Sequence, residues 1–174
     1  MSLYLDIAGC EPGAHLLEGE EDASSFGFPE QVVAVTDPVR FALRVTRDGP
    51  TIVVSGEVDV VARRICDRCL SDFSDDVQVD LREIYHLGDV EFSDTDPDDD
   101  EVHFVGRRAT RVDLAPVIRQ RVMLELPMKS LCRDDCKGIC PVCGVNRNDA
   151  ACQCATQSDP RWRALGGLGE KRSQ

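Results

Sequence analysis

The stretch TIVVSGEVDVVARRICDRCLSDFSDDVQVDL, residues 51–81, decides the fold. Its first half sets Ile52, Val54, Val58, Val60 and Ala62 at alternate positions, the period of a strand with one face buried. Gly56 interrupts that row where a bulge or a close backbone approach is expected. The strand runs directly into Cys66-Asp67-Arg68-Cys69, after which Val77, Val79, Leu81 and Tyr85 resume the same period. The pattern predicts two antiparallel strands with a CxxC tip between them.

Outward from this hairpin the signals vary in strength. Upstream, Val39, Phe41, Leu43 and Val45 alternate with Arg40, Ala42, Arg44 and Thr46, and Arg47-Asp48-Gly49-Pro50 makes the turn into the long strand. Leu3, Leu5 and Ile7 suggest a short strand, broken at Pro12-Gly13 and followed by a polar, acidic stretch to about residue 30. Downstream, SDTDPDDDE (93–101) holds six acidic residues and a proline and reads as a solvated linker or loop, extended by its own repulsion. Asp113-Leu114-Ala115-Pro116 has the form of a helix start, in which Asp113 can cap and Pro116 is tolerated in the first turn. Leu114, Val117, Ile118, Val122 and Leu126 then recur at helical spacing until Pro127. This predicts an amphipathic helix of about three turns, with Arg119 and Arg121 as solvated charges on its polar face. DPRWRAL (159–165) would start a second short helix, with Trp162 and Leu165 on its apolar stripe.

The expected class is therefore α+β: an antiparallel sheet with a CxxC tip, one amphipathic helix packed on it, and a Cys-rich zinc-binding C-terminal region ending in a short helix. The expected organisation is an acidic β-rich half (1–92), an acidic linker or loop (93–101) and a helix plus Cys-rich half (102–174), forming one structural unit clipped by zinc.

At 42% hydrophobic and 5% aromatic residues over 174 positions, the core must be aliphatic. No run approaches the roughly 18 apolar residues of a membrane span. Ile7-Ala8-Gly9-Cys10 resembles a lipoprotein cleavage box, but neither a basic nor an apolar segment precedes it, so a cytoplasmic protein is expected. The net charge of -12 is asymmetric: residues 1–101 carry 7 basic against 25 acidic side chains, and residues 102–174 carry 13 against 7. The second half could touch nucleic acid or an acidic protein, although coordinated thiolates would lower its positive charge.

In a reducing compartment nine cysteines favour metal coordination over disulfides. Apart from Cys10 they form four pairs: Cys66/Cys69, Cys132/Cys136, Cys140/Cys143 and Cys152/Cys154. Closely spaced pairs supply two convergent thiolates each, so four pairs make two four-thiolate zinc sites. The economical solution joins Cys140, Cys143, Cys152 and Cys154 locally and leaves Cys66, Cys69, Cys132 and Cys136 to clip the strand tip to the segment after the helix. Spacing alone equally permits Cys132, Cys136, Cys140 and Cys143 together. His15, His86 and His103 lie in none of the clusters, so the sites read as closed and structural rather than catalytic. CDRC flanked by strands lacks the helix N-terminus of a redox pair. Phosphate-binding, dinucleotide-binding and nucleophile-elbow motifs are missing from the sequence.

CDRCL between two strands, Leu126-Pro127, LCRDDCKGICPVCGVNRNDAACQC and DPRWRAL together resemble the YceD-like family of large ribosomal RNA subunit accumulation proteins, in its Cys-rich form. The resemblance implies a cytoplasmic, non-enzymatic factor required for accumulation of 23S ribosomal RNA, with precursor 23S RNA or an early large-subunit ribosomal protein as partner, and with no membrane or small-molecule substrate. Members lacking the CPVCG region keep a CxxC pair and a downstream Cys, similar to Cys66, Cys69 and Cys136, which favours the split into a long-range and a local site. The chain departs from the family in its longer acidic stretch before residue 102 and in Arg147, where an apolar residue is frequent. Candidate RNA or partner contacts are Arg107, Arg108, Arg133, Lys137, Arg147, Arg161 and Arg163, as phosphate-positioning charges. The rival readings are a cysteine-based redox or metal sensor and a zinc hydrolase.

Overall fold

A computed structural model describes residues 3–29, 33–88, 102–155 and 161. The strands are β1 (Tyr4–Asp6), β2 (Gly13–Glu21), β3 (Ala34–Val35), β4 (Val39–Asp48), β5 (Thr51–Ile65), β6 (Asp72–Leu87), β7 (Val102–Val105) and β8 (Arg111–Asp113), followed by the helix α1 (Ala115–Glu125). The larger sheet runs β2-β4-β5-β6-β7, with β3 also paired to β5. Its pairs are antiparallel except that β7 joins β6 in parallel. β1 and β8 form a separate antiparallel pair. The fold is α+β, mostly antiparallel sheet with one helix among the described residues. The short helix expected over residues 159–165 and the acidic segment 93–101 lie outside them.

The alternating rows pack as their period requires. Val39, Leu43 and Val45 of β4, Ile52, Val54, Val58 and Ala62 of β5, and Val79, Leu81 and Tyr85 of β6 all face one core. That core is closed by Leu3, Leu5 and Ile7 around β1, Phe26, Val112 of β8, and Leu114, Ile118 and Val122 of the helix region. The opposite rows, among them Arg40, Arg44, Glu57, Asp59, Gln78 and Asp80, are left to solvent. At Gly56 the pairing is continuous, Leu43 opposite on one side and Leu81 on the other, so the chain does not bulge. The glycine is needed for the close approach instead: φ is +152°, and a Cβ would run into the carbonyl oxygen of Ala42.

Three features differ from the sequence reading. First, residues 13–21 are a full edge strand, paired with β4 from Gly13↔Arg47 to Glu21↔Val39. All but Leu17 and Glu21 are exposed, so no buried row marked the strand in the sequence. Second, the N-cap position falls on Leu114, which makes no side-chain bond, while Asp113 one residue earlier still supplies the capping acceptor, its Oδ1 taking the N–H of Ala115 (3.0 Å). Third, the helix arginines are engaged rather than solvated. Arg119 Nη1 donates to the carbonyl of Phe26 (3.3 Å), and Arg121 Nε donates to Glu83 Oε1 (2.9 Å).

Glu83 occupies an inward position of β6 and is 3% exposed. Its second oxygen bonds His103 Nε2 of β7 (2.7 Å), and the His103 ring stacks on Tyr85 at 5.0 Å between centroids. One buried carboxylate thus ties β6, β7 and α1 together. Its partners are about one-third exposed, 33% for Arg121 and 38% for His103, so they can hydrate when the carboxylate cannot. Arg121→Met, which strands the buried carboxylate, should therefore cost about 2–4 kcal/mol, and Glu83→Gln clearly less. Urea denaturation of both variants checks the order, and the reverse order would show that compensation of the carboxylate is not the dominant effect.

Candidate metal centres

Residues 66–71 connect β5 to β6, closed by Cys66 N–H to the Ser71 carbonyl (2.9 Å) and Leu70 N–H to the Cys66 carbonyl (2.9 Å). This tip is docked on the segment that follows α1. Arg64, 8% exposed, sends Nη2 to the Pro127 carbonyl (2.7 Å). Asp67 and Ser130 exchange two bonds, Asp67 N–H to the Ser130 carbonyl and Ser130 N–H to Asp67 Oδ2, both 2.8 Å. Arg68 accepts the Ile139 N–H at its carbonyl (3.0 Å) and donates Nη1 to the Cys136 carbonyl (3.1 Å).

This docking brings Cys66, Cys69, Cys132 and Cys136 together, their sulfurs all within 4.8 Å of one another. Two of the separations are 3.8 Å (Cys66 to Cys136) and 3.6 Å (Cys69 to Cys132). A tetrahedron with sulfur about 2.3 Å from a central zinc has edges of about 3.8 Å. Cys66, Cys69 and Cys136 are 0–6% exposed and form a second small core with Phe73, Leu131 and Cys132. Cys140, Cys143, Cys152 and Cys154 make the other group within the same 4.8 Å limit. It is built on a tight reversal in which Cys140 N–H bonds the Val145 carbonyl (2.8 Å) and Ile139 bridges Asn146. Here only Cys140 is buried, while Cys143 and Cys154 are exposed.

Backbone amides are aimed at the first sulfur of each turn. Burial raises the Cys66 thiol, but the N–H groups of Cys132, Cys69 and Arg68 outweigh it and bring it down to about 6. The N–H groups of Cys143 and Val142 bring Cys140 to about 6. At Cys136 burial again raises the thiol, and the Asn148 carboxamide and the Gly138 N–H lower it on balance. Cys132, Cys152 and Cys154 are driven the other way. Cys132 is pushed up to about 12 by burial and by hydrogen bonding to Cys69 and Cys66, and Cys154 to about 12 by its hydrogen bond to Cys143, by burial and by neighbouring negative charge. Holding all four sulfurs of a group as thiolates would take a cation between them. All-sulfur donor sets in tetrahedral reach could hold metal ions and suit zinc.

The basic residues singled out in the sequence do not share an element. Arg107 and Arg108 are exposed in the β7–β8 connection, and Arg133, Lys137 and Arg147 are exposed among the cysteines. Arg133 pairs with Asp135 (3.6 Å). Arg161 is exposed, and Arg163 lies outside the described residues. Asn146 and Asn148, passed over in the sequence, are bonded within the centres. Their signal was the polar NRND run between two Cys pairs, where carboxamides commonly bond nearby backbone.

Fold and site define an α+β protein in which one four-cysteine group joins the end of a long hairpin to the segment after α1 and a second lies in the chain that follows. The family model of the large ribosomal RNA subunit accumulation protein YceD matches residues 54–169, and the chain belongs to that family. A Mycobacterium tuberculosis protein described as uncharacterized is 37% identical over 124 residues, 71% of this chain and 58% of its own length. A Mycobacterium leprae protein, also described as uncharacterized, is 28% identical over 159 residues, 90% of this chain and 72% of its own. The Arabidopsis thaliana chloroplastic YCED homolog 1, named as a large ribosomal RNA subunit accumulation protein, is 34% identical over 77 residues, 44% of this chain and 24% of its own. The chain thus spans somewhat over half the length of the M. tuberculosis relative. No solved structure matches.

Leu70 and Gly144 follow the second cysteine of their CxxC turns, and both are left-handed, φ 59° and 72°. Glycine adopts this conformation freely, whereas a leucine pays roughly 1–2 kcal/mol. Leu70 is 63% exposed and gains little burial in return. Leu70→Gly should be neutral to stabilising by about 1 kcal/mol, and β-branched Leu70→Ile destabilising by at least about 1 kcal/mol, measured by denaturation of the metal-loaded chain.

Proposed function

We propose that this protein is a non-catalytic ribosome-biogenesis factor that supports accumulation and processing of 23S ribosomal RNA and large-subunit assembly, with two structural zinc ions. The observation that carries the reading is the conjunction of family membership with two all-thiol groups, one of which spans the docking seam. Cys66, Cys69, Cys132 and Cys136 would hold one ion and Cys140, Cys143, Cys152 and Cys154 the other. Zinc neutralises part of the thiolate charge and fixes the tip against the segment after α1. Neither group carries a histidine, a carboxylate or a water-activating base among its donors.

The partner in this reading is precursor 23S RNA or an early large-subunit ribosomal protein, met in the cytoplasm. Arg107, Arg108, Arg133, Lys137, Arg147, Arg161 and Arg163 would position phosphates or acidic groups. The halves 1–92 and 102–174, joined through 93–101, would act as one unit clipped by zinc. Pairing of β7 with β6 and of β8 with β1 supports this, since both cross the acidic segment. That no described helix is long and apolar enough to cross a membrane accords with the same reading. A second reading, a thiol-based sensor, draws on the exposure of Cys143 and Cys154. Retention of both ions under mild peroxide would exclude it.

Two measurements test the proposal. Elemental analysis should find two zincs per chain, falling to one in Cys66→Ser and to one in Cys140→Ser, and loss of both in either variant would show that the groups do not load separately. In cell extracts the protein should co-sediment with large-subunit precursors. If RNA phosphates are the contact, added salt should weaken that association, and replacing the exposed arginines should flatten the salt dependence. Absence from precursor particles at every salt concentration would reject the ribosomal role.

A further inference from the structure

Asn148 lies between Cys143 and Cys152, inside the loop that the second thiol group closes, yet its carboxamide reaches the first group. Nδ2 donates to Cys136 Sγ (3.4 Å) and to Asn146 Oδ1 (2.8 Å), while Oδ1 accepts the Lys137 N–H (2.8 Å). The orientation of the amide follows from this set, because a backbone N–H can only donate and so must face the oxygen, leaving the NH2 toward the sulfur. Around it the loop is laid on the first group's own segment. Arg147 N–H bonds the Gly138 carbonyl (2.9 Å), Ile139 bridges Asn146, and Asn146 Oδ1 accepts the Asn148 N–H (3.0 Å). Asn146 Nδ2 reaches Ser71 Oγ (3.3 Å), at the base of the β5–β6 tip.

We propose that Asn148 is a positioning residue that couples the two centres: metal in the second group orders the loop that presents its N–H to Cys136, and metal in the first group is held more tightly as a result. This rests on the reading that both groups take a metal ion. A donor to a ligating thiolate spreads charge that the ion alone does not neutralise, and loss of such an outer contact typically costs 10–100-fold in metal affinity. The coupling is reciprocal, so an occupied first group also steadies the loop of the second.

The test is zinc release to a chromogenic chelator from the full chain loaded with two Zn²⁺. The release phase missing in Cys66→Ser belongs to the first group. That phase should accelerate about tenfold or more in Asn148→Ala, and equally in Cys154→Ser, which disables only the second group. The double variant should release no faster than either single one, because both remove the same contact. Asn148→Asp keeps the volume but loses the donor and should behave like Asn148→Ala, which guards against a merely structural effect or an alanine variant that fails to fold. Wild-type release of the first ion in both Asn148 variants, or additive acceleration in the double, overturns the coupling. A chain that loads fewer than two ions overturns the two-metal reading itself, before Asn148 is changed.

Discussion

The structure depends on a hairpin that is longer than the core beneath it. β5 and β6 pair continuously from Thr51↔His86 to Ile65↔Asp72, a span of about 50 Å at strand rise. The main apolar cluster takes Ala62 and Val77 as its last members along these strands, and beyond them the inward row continues with Arg64 and then Cys66. Aliphatic burial therefore runs out before the tip does. What replaces it is a core of sulfur, in which Cys66, Cys69 and Cys136 are buried with only Phe73 and Leu131 as larger neighbours. Sulfhydryls of that number bury too little apolar surface to fix a loop, whereas four thiolates around one divalent ion can. The clip is also long in sequence, 63 residues from Cys69 to Cys132, and closing such a loop costs on the order of 3–4 kcal/mol of chain entropy.

The hydrogen bonds leading to the tip prepare that closure. After α1 the chain turns at Leu126, extended at φ -61° and ψ 126° as a residue before proline must be, and comes back along the hairpin end. Arg64 takes the Pro127 carbonyl, and Asp67 and Ser130 exchange two bonds. Each contact lies between the helix and the first thiol group, so the returning chain is in register before Cys132 and Cys136 are reached. At the other end, Glu83 ties β7 and α1 to β6 with a buried charge.

Period-two rows made the central strands legible, because a half-buried strand writes its burial directly into alternate positions, from Val39 to Tyr85. The four cysteine pairs were legible as pairs able to converge, and their spacing alone left two groupings open. Three-dimensional docking of the tip on residues 130–139 is what sorts them. β2 was not legible: an edge strand with an almost wholly exposed face has no row to display. Glu83 hid for the opposite reason, since a charged residue at an inward position contradicts the pattern unless His103 and Arg121, distant in sequence, are known to meet it. Leu70 is a third kind of case, where the left-handed conformation is imposed by the turn geometry and the residue type argues against it.

Charge narrows what the Cys-rich half can do. Among residues 102–155 and 161, ten lysines and arginines face five acidic side chains, a formal +5 before the thiols are considered. A four-thiolate centre with a divalent ion carries a formal charge of about -2, so two loaded centres would reduce this to near +1. Bulk attraction to phosphate is then small, and the sheet face with Glu57, Asp59 and Asp80 opposes it. Under the proposed role, recognition by this half would come from side chains held at fixed positions rather than from net charge. Rigidity at the seam would then matter for function: exposed Lys137, Arg147 and Leu70 sit on or beside the turns that carry the thiol groups, and they would select a partner only as well as those turns are held.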